Sequence, residues 1–197
     1  MKTAIVLCLA LGGSAEQTAL SNIWHPANCC QSLVDAGFQN VYMPNHTLYS
    51  ERVESYWSLT SRLTPECFIQ PRDTKEVAGA VEVLLRETEC PFAVRSGGHS
   101  STAGANNIEK AVAIDLGLLN KMTYDFENSI ASVGPGARWL DVYRTLDEYN
   151  VGVLGGRIGT VGVGGLLRTC QRLLWVGKLL GTGIFGFQSR SKTTREF

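Results

Sequence analysis

The segment PFAVRSGGHS, residues 91–100, decides the fold class. Phe92 to Val94 form a short apolar run typical of a buried strand, and Pro91 separates this run from what precedes it. Glycine, serine and charge follow at once, so the strand must end in a tight turn. The segment therefore predicts a strand whose end presents backbone N–H groups together with the side chains of Arg95 and His99.

The same arrangement of strand and glycine-rich turn recurs twice. Ile130 to Val133 precede Gly134-Pro135-Gly136, and Val151 to Leu154 precede GGRIGTVGVGGLL, residues 155–167. Residues without Cβ let the backbone approach a pyrophosphate closely and adopt positive φ angles. A structural turn is the simpler interpretation of any one of these loops. Three of them together favour a single cofactor cradle.

The remaining chain alternates between helix and strand signals. The clearest helix starts at Asp73 or Thr74, and its apolar side chains recur at helical spacing. They are Val77, Ala80, Val81, Leu84 and Leu85. The other predicted elements are a helix over 28–36, strands over 67–69 and 111–116, a polar connection over 121–129, and a helix over 138–149 with Leu140, Tyr143 and Leu146 inward. This order predicts an α+β or α/β layer arrangement.

Charge is divided unevenly along the chain. The 18 basic and 18 acidic side chains cancel, but residues 1–167 hold 12 basic and 17 acidic groups, and residues 168–197 hold six and one. A neutral total argues against electrostatic binding of nucleic acid. The abrupt change at residue 168 sets the last thirty residues apart.

The N-terminus has the pattern of a secretory signal peptide. Lys2 gives a positive start, residues 4–11 are apolar, and Gly13 and Ala15 are small residues suited to cleavage. The apolar run is too short for a stable membrane anchor. We therefore expect removal of residues 1–15, secretion, and glycosylation of Asn45 in the sequon Asn-His-Thr.

Four cysteines between the signal and residue 168 agree with an oxidising compartment. Cys29 and Cys30 are adjacent and would be strained if bridged to each other, so each is expected to pair with Cys67 or Cys90. The sequence leaves both pairings open. A zinc site is not predicted, because only His25 lies at ligand spacing from the adjacent cysteines.

Four segments carry a resemblance to a known family. The stretches PFAVRSGGHS, AIDL, VGPGARWLDVY and GGRIGTVGVGGLL resemble the FAD-binding module of the berberine-bridge-enzyme-like FAD-linked oxidases, in the vanillyl-alcohol-oxidase superfamily. The upstream CC and YW pairs and the Cys67 strand are similar to secreted fungal members. The resemblance implies the N-terminal part of a PCMH-type FAD-binding domain, an α+β fold of small βαβ-like subdomains with glycine-rich flavin loops.

The resemblance also implies roles for individual residues. His99 matches the histidine that bonds covalently to the 8α carbon of the flavin. Ile158 stands where bicovalent relatives carry cysteine, so FAD would be attached through His99 alone. The other implied cofactor-binding residues are Arg95, Ser96, Gly97, Gly98, Ser100, Gly104, Gly134, Gly156, Thr160, Val161, Gly162, Gly164 and Gly165.

The resemblance stops near Leu167. The N-terminal pattern, the cysteines and the resemblance together divide the chain into a signal peptide at 1–15, a disulfide-linked segment at 16–63, an incomplete FAD-binding domain at 64–167 and an aberrant basic tail at 168–197. We interpret the tail as the product of an altered reading frame, an unspliced intron or a mispredicted gene end. Its Gly181-to-Gly186 match to G-x-G-x-x-G is treated as accidental, because the chain ends before an acidic partner could follow.

These features predict the FAD-binding portion of a secreted oxidase. The complete protein would oxidise an alcohol, a sugar or a related small molecule by hydride transfer to flavin, with O2 as acceptor. In the family the catalytic base belongs to the part that follows, so no catalytic residue is predicted here. The alternatives are an inactive truncated fragment and a non-catalytic secreted module that binds an anionic ligand.

Overall fold

The computed structural model describes residues 26–86, 90–170 and 187–188, and within these ranges the chain forms two sheets with five helices. The helices are α1 (Pro26–Asp35), α2 (Thr47–Glu54), α3 (Thr74–Arg86), α4 (Trp139–Asp147) and α5 (Val163–Cys170). The strands are β1 (Val41–Tyr42), β2 (Cys67–Ile69), β3 (Phe92–Arg95), β4 (Val112–Asp115), β5 (Met122–Asp125), β6 (Ile130–Val133) and β7 (Phe187–Gln188).

The first sheet has the strand order β1-β2-β4-β3. Strands β2, β4 and β3 are parallel, and β1 is antiparallel to β2. Helix α3 connects β2 to β3, and its side chains Ala80 and Leu84 are fully buried against the sheet. Because the carboxyl ends of parallel strands lie at the same edge of a sheet, the turn after β3 lies at the edge where β2 and β4 also end.

Two disulfides attach α1 to this sheet. Cys29 pairs with Cys90, and Cys30 pairs with Cys67, with Cα–Cα distances of 5.9 and 6.1 Å. Both distances are ordinary for disulfides. The prediction that the adjacent cysteines each bridge to a distant one is confirmed, and the structure settles which pairing forms.

The second sheet is antiparallel, with the order β5-β6-β7. Its core cluster joins Ala131 of β6 to Trp139, Val142 and Leu146 of α4. The segment 121–129, predicted as a polar connection, instead contributes strand β5. Met122 and Tyr124 are half-buried while the residues between and after them are exposed, an alternation that the surrounding polar residues obscure.

Three other predictions need correction. Leu85 of α3 is 58% exposed, and Leu140 of α4 is 40% exposed, although both were expected to point inward. In α4 the buried residues are Trp139, Val142 and Leu146. Leu146 was predicted correctly, whereas the first two buried positions each lie one residue before the predicted ones. The predicted strand over 151–154 is not formed, and Leu154 is 84% exposed.

Several predictions fall on residues outside the described ranges. These are the signal peptide at 1–15, most of the tail and its Gly181-to-Gly186 segment. Helix α5 runs across the predicted tail boundary to Cys170, and β7 pairs with β6. In residues 26–86, 90–170 and 187–188, no helix is both long and apolar enough to cross a membrane.

Candidate cofactor-binding site

The structure brings the three glycine-rich turns together. We call residues 96–100 the histidine loop, residues 134–138 the proline loop and residues 155–162 the glycine loop. A Cβ on Gly97 would lie 2.6 Å from the Cα of Gly162, and a Cβ on Gly162 would lie 2.6 Å from the Cα of Gly97. The histidine and glycine loops therefore touch through their backbones, and only glycine permits this approach.

The proline loop completes the cluster. Ser96 Oγ donates a 2.6 Å hydrogen bond to the Pro135 carbonyl. The N–H groups of Val163 and Gly164, at the start of α5, donate to the carbonyls of Ala137 and Pro135. These bonds fix the N-terminus of α5 beside the point where the histidine and glycine loops meet.

Arg138 joins two of the loops through its side chain. Its Nη1 donates to the carbonyl of Gly97 at 3.2 Å and to the carbonyl of Thr160. Arg138 was predicted only as the start of a helix, without a binding role. Its position directly after Gly-Pro-Gly-Ala was the available signal, but nothing local indicates that its guanidinium spans two loops far apart in sequence.

The histidine loop has backbone donors to offer. Gly97 and Gly98 are buried, and Gly98 has a φ of +70°. Among the backbone hydrogen bonds of the described residues, none is donated by residues 97–100. Successive N–H groups with mixed backbone handedness form a concave site for anions. A Cβ on Gly97 would collide with the Gly162 backbone, and one on Gly98 would lie 2.9 Å from Arg95 Nε, so the loop keeps bare backbone here. Its N–H donors suit a pyrophosphate.

Arg95 has a different setting from the one predicted. Its side chain is 1% exposed, and its guanidinium donates to the Arg52 carbonyl at 2.8 Å and to Ser55 Oγ at 2.8 Å. It also lies 3.8 Å from the Asp115 carboxylate and 4.0 Å from the centre of the Tyr56 ring. A contact between this side chain and a cofactor phosphate stays a prediction, since the observed contacts direct it to the end of α2.

His99 lies half-buried at the end of the histidine loop. Its imidazole stacks on the Trp57 indole, with ring centroids 5.5 Å apart and an interplanar angle of 16°. Burial lowers the pKa of His99 below its usual value, and the positive charge of Arg138 lowers it further. The imidazole is therefore neutral at pH 7, with a lone pair on one ring nitrogen.

The other predicted residues of the glycine loop face the proline loop and α4. The Val161 carbonyl accepts from the Trp139 N–H at 3.1 Å, and the Gly156 carbonyl accepts from the Tyr143 hydroxyl at 2.8 Å. A Cβ on Gly156 would collide with the Trp139 ring. Thr160 and Ile158 are exposed, and Ile158 has 61% of its surface accessible.

The remaining predicted residues have local roles. Ser100 Oγ accepts from the Thr102 N–H at 3.1 Å. Gly104 has a φ of +81° in a turn closed by the Ala105 N–H and the Thr102 carbonyl. Gly134 packs on the Leu119 carbonyl, and a Cβ on Gly165 would meet nothing within 4 Å.

The charges near the cradle are mainly positive. Arg52 and Arg95 share the buried carboxylate of Asp115, each at 3.8 Å, and both arginines lower the pKa of Arg138 after the larger effect of burial. Three cations against one central carboxylate favour an anionic ligand. No group of His, Cys, Asp and Glu residues suited to a metal ion occurs in the described part of the chain.

Comparison with known proteins identifies the ligand class. A family described as "FAD binding domain" matches residues 65–171, more than half of the chain. The chain belongs to this FAD-binding family. The matched range contains all three loops and His99.

Two fungal relatives extend the match beyond the domain. The chain is 42% identical over 140 residues to the FAD-dependent monooxygenase sdcF of Emericella nidulans, covering 71% of this chain and 29% of that protein. It is 40% identical over 146 residues to the FAD-dependent monooxygenase drtC of Aspergillus calidoustus, covering 72% and 28%. This FAD-binding chain thus spans less than a third of the length of these relatives.

Solved structures confirm the predicted family and the α+β fold. The xylooligosaccharide oxidase of Myceliophthora thermophila C1 is 27% identical, with a TM-score of 0.61, covering 70% of this chain and 29% of that protein. The wild-type BBE-like 1 protein of Physcomitrella patens is 24% identical, with a TM-score of 0.59, covering 68% and 29%. The FAD-binding chain therefore has the fold of the berberine-bridge-enzyme-like flavoproteins.

Proposed function

We propose that this FAD-binding chain holds its flavin through one covalent bond, from a ring nitrogen of His99 to the 8α carbon, formed with loss of one hydrogen from the 8α methyl group and one from the imidazole and with O2 as the acceptor of both. The observation that carries the proposal is the position of His99, a neutral imidazole at the end of a loop whose backbone donors are free for an anion. Bound flavin supplies two-electron redox chemistry. The protein's part is to hold it and orient it.

The electrostatics around His99 support its role as the attachment residue. A protonated imidazole has no lone pair with which to form a new bond. Burial and the Arg138 charge both lower the pKa of His99 and keep the ring neutral at pH 7. The exposed side chain of Ile158 has no sulfur, so it offers no second attachment point.

The backbone around His99 supports a complementary role for the glycines. The N–H groups of residues 97–100 would bind the pyrophosphate, and the positive charge of Arg52, Arg95 and Arg138 near them would stabilise it. Arginine side chains donate and cannot accept hydrogen bonds, so these cations leave the loop N–H groups available for the ligand.

For the complete protein we propose oxidation of an alcohol, a sugar or a related small molecule, with O2 as electron acceptor. The support is the FAD-binding family, and the description of one structural neighbour as a xylooligosaccharide oxidase. The chain spans less than a third of the length of its curated relatives, and the catalytic base is proposed to lie in a part of the protein that corresponds to the remainder of those relatives.

We further propose that the protein is secreted. Two disulfides and an exposed Asn45 in its sequon support this. Mass spectrometry of the protein made by a eukaryotic host should find residues 1–15 removed and a glycan at Asn45. An intact N-terminus on protein retained inside the cell would contradict secretion.

The attachment of flavin is tested by denaturation. The full chain, produced in a secretory host and precipitated with acid, should retain yellow flavin absorbance in the protein fraction. The His99→Ala variant should lose it, because alanine has no ring nitrogen with which to form the bond. The Ile158→Ala variant is the matched control and should retain it. Covalent flavin in His99→Ala would overturn the proposal, and soluble wild-type protein without flavin would favour a binding module instead.

A further inference from the structure

A short segment before the matched family range holds the histidine loop in place. The Trp57 N–H donates to the Gly98 carbonyl at 3.1 Å, Ser61 Oγ donates to the Ser100 carbonyl at 2.7 Å, and Thr60 Oγ1 donates to the Ser101 carbonyl at 2.6 Å. Residues 57–61 precede residue 65, where the family match begins. This segment, the loop clamp, thus fastens the loop backbone on both sides of His99.

The Trp57 side chain acts on His99 itself. The indole and imidazole rings are nearly parallel, 16° apart, at a centroid distance of 5.5 Å. Trp57 is 66% exposed, so the indole is not a core residue whose burial explains its position. Among the aromatic rings of residues 26–86 and 90–170, the indole stacks on His99.

We propose that Trp57 is a positioning residue that fixes the orientation of the His99 imidazole. The inference rests on the proposed function, in which a nitrogen of that ring must meet one carbon of the flavin. A histidine at a loop end can rotate about both side-chain torsions, and a flat surface along one face of its ring restricts that rotation. A preset ring presents its nitrogen in one direction, which reduces the entropy lost when the bond forms.

The loop clamp makes two kinds of contact: hydrogen bonds to the backbone of the histidine loop, and ring stacking on the His99 side chain. Ser61 is fully buried and bonds the Ser100 carbonyl, and the Trp57 N–H bonds the Gly98 carbonyl. Substitution of the Trp57 side chain keeps both of these bonds. The loop should therefore stay in place while the imidazole loses its stacking partner, which separates positioning from folding.

The experiment compares four versions of the full chain: wild type, Trp57→Ala, Trp57→Phe and Leu59→Ala. Leu59 lies in the same segment and is 75% exposed, so its variant is the matched control. The first measurement is the NMR signal of the His99 ring in protein without flavin. Wild type and Leu59→Ala should show the upfield shift of the His99 signal that a stacked indole ring causes. Trp57→Phe should show a smaller upfield shift, and Trp57→Ala should show none.

The second measurement is the rate of covalent flavin incorporation after addition of FAD to flavin-free protein. We expect Trp57→Ala to be slower by about tenfold, since small errors in placement are costly in rate. Trp57→Phe should recover most of the rate, and Leu59→Ala should match wild type. Unfolding midpoints should be equal in all four versions, because the substituted side chains are largely exposed.

Each outcome decides the inference. His99 signals that are unchanged in Trp57→Ala would overturn it, and so would equal incorporation rates in the two alanine variants. Should Trp57→Ala fail to fold, Trp57→Phe against Leu59→Ala gives the same comparison. If wild type acquires no covalent flavin, the attachment by His99 fails, and the NMR comparison alone decides whether Trp57 orients the ring.

Discussion

Two arginines support the histidine loop, and each does so by binding backbone carbonyls. Arg95 is buried beneath the loop, with its guanidinium bonded to the end of α2 and in contact with the Tyr56 ring. Arg138 binds the carbonyls of Gly97 and Thr160 and so connects two loops. A guanidinium donates hydrogen bonds and cannot accept them, so neither arginine occupies the N–H groups of the loop, and both keep their positive charge beside it.

At the residue scale, the charge of Arg138 should control the protonation of His99. Burial is the larger cause of the lowered pKa of His99, and the Arg138 charge is the second. The Arg138→Leu variant removes that charge, so the pKa of His99 should rise toward its ordinary value of 6.5. An NMR titration of the His99 ring measures this, and Arg138→Lys, which keeps the charge, should leave the pKa low.

The same shift gives a pH dependence of stability. The folded pKa of His99 lies below the unfolded value, so the unfolded chain binds more protons as the pH falls below about 6.5. His99 therefore favours folding above that value and costs stability as the pH falls toward the folded pKa. Arg138→Leu should narrow the pH range over which His99 lowers the stability, because the folded pKa moves closer to the unfolded one. A His99 pKa that does not change in Arg138→Leu would contradict the assigned cause.

At the element scale, the start of α5 depends on where glycine is required. A Cβ on Gly162 would collide with the Gly97 backbone, whereas a Cβ on Gly165 would meet nothing within 4 Å. Both residues lie near the N-terminus of the same helix, so they form a matched pair. Comparing alanine substitutions at the two positions separates the effect of the close contact between the loops from the effect of helix propensity.

The Gly162→Ala variant should lower the free energy of unfolding by about 1–3 kcal/mol, because the loops must move apart. The Gly165→Ala variant should raise it by about 0.5–1 kcal/mol through helix propensity. Urea unfolding of the flavin-free chain measures both. Equal effects in the two variants would contradict the close contact between the histidine and glycine loops.

Helices and strands were predictable where the apolar residues follow a single helical or strand spacing over many residues. Helix α3 has apolar residues at helical spacing, and Asp73 caps it by accepting from the Glu76 N–H at 2.9 Å. Strand β5 was missed, because its alternation lasts only four residues within a polar stretch. The strand predicted over 151–154 did not form, since an apolar run without a pairing partner is not sufficient for a strand.

At the scale of the whole molecule, the two disulfides fasten α1 to the first sheet. Cys29–Cys90 joins residues 61 apart, and Cys30–Cys67 joins residues 37 apart. Both reach the core cluster that contains Leu33 and Leu84. The helix at the start of the described chain is thereby tied to strands that come much later, which stabilises the sheet that carries the histidine loop.

Replacing both cysteines of either disulfide by alanine should lower the free energy of unfolding by about 2–5 kcal/mol. The chain-entropy contribution of Cys29–Cys90 should exceed that of Cys30–Cys67 by about 0.4 kcal/mol, because it closes the longer loop. Denaturant unfolding measures the loss. Under strongly reducing conditions wild type should fall to the stability of a variant lacking all four cysteines, and an unchanged wild type would contradict the role of the disulfides.

The sequence by itself determined the strand and turn of residues 91–100, the glycine-rich loops, helix α3 and the presence of two disulfides. Local rules govern each of these: hydrophobic period, the freedom of glycine and the geometry of adjacent cysteines. Only the tertiary structure decided the cysteine pairing, the direction of Arg95, the bridge made by Arg138 and the stacking of Trp57 on His99. These depend on which atoms meet across 22 to 61 residues of chain, because a side chain selects its partner by the packing of whole elements and not by its sequence neighbours.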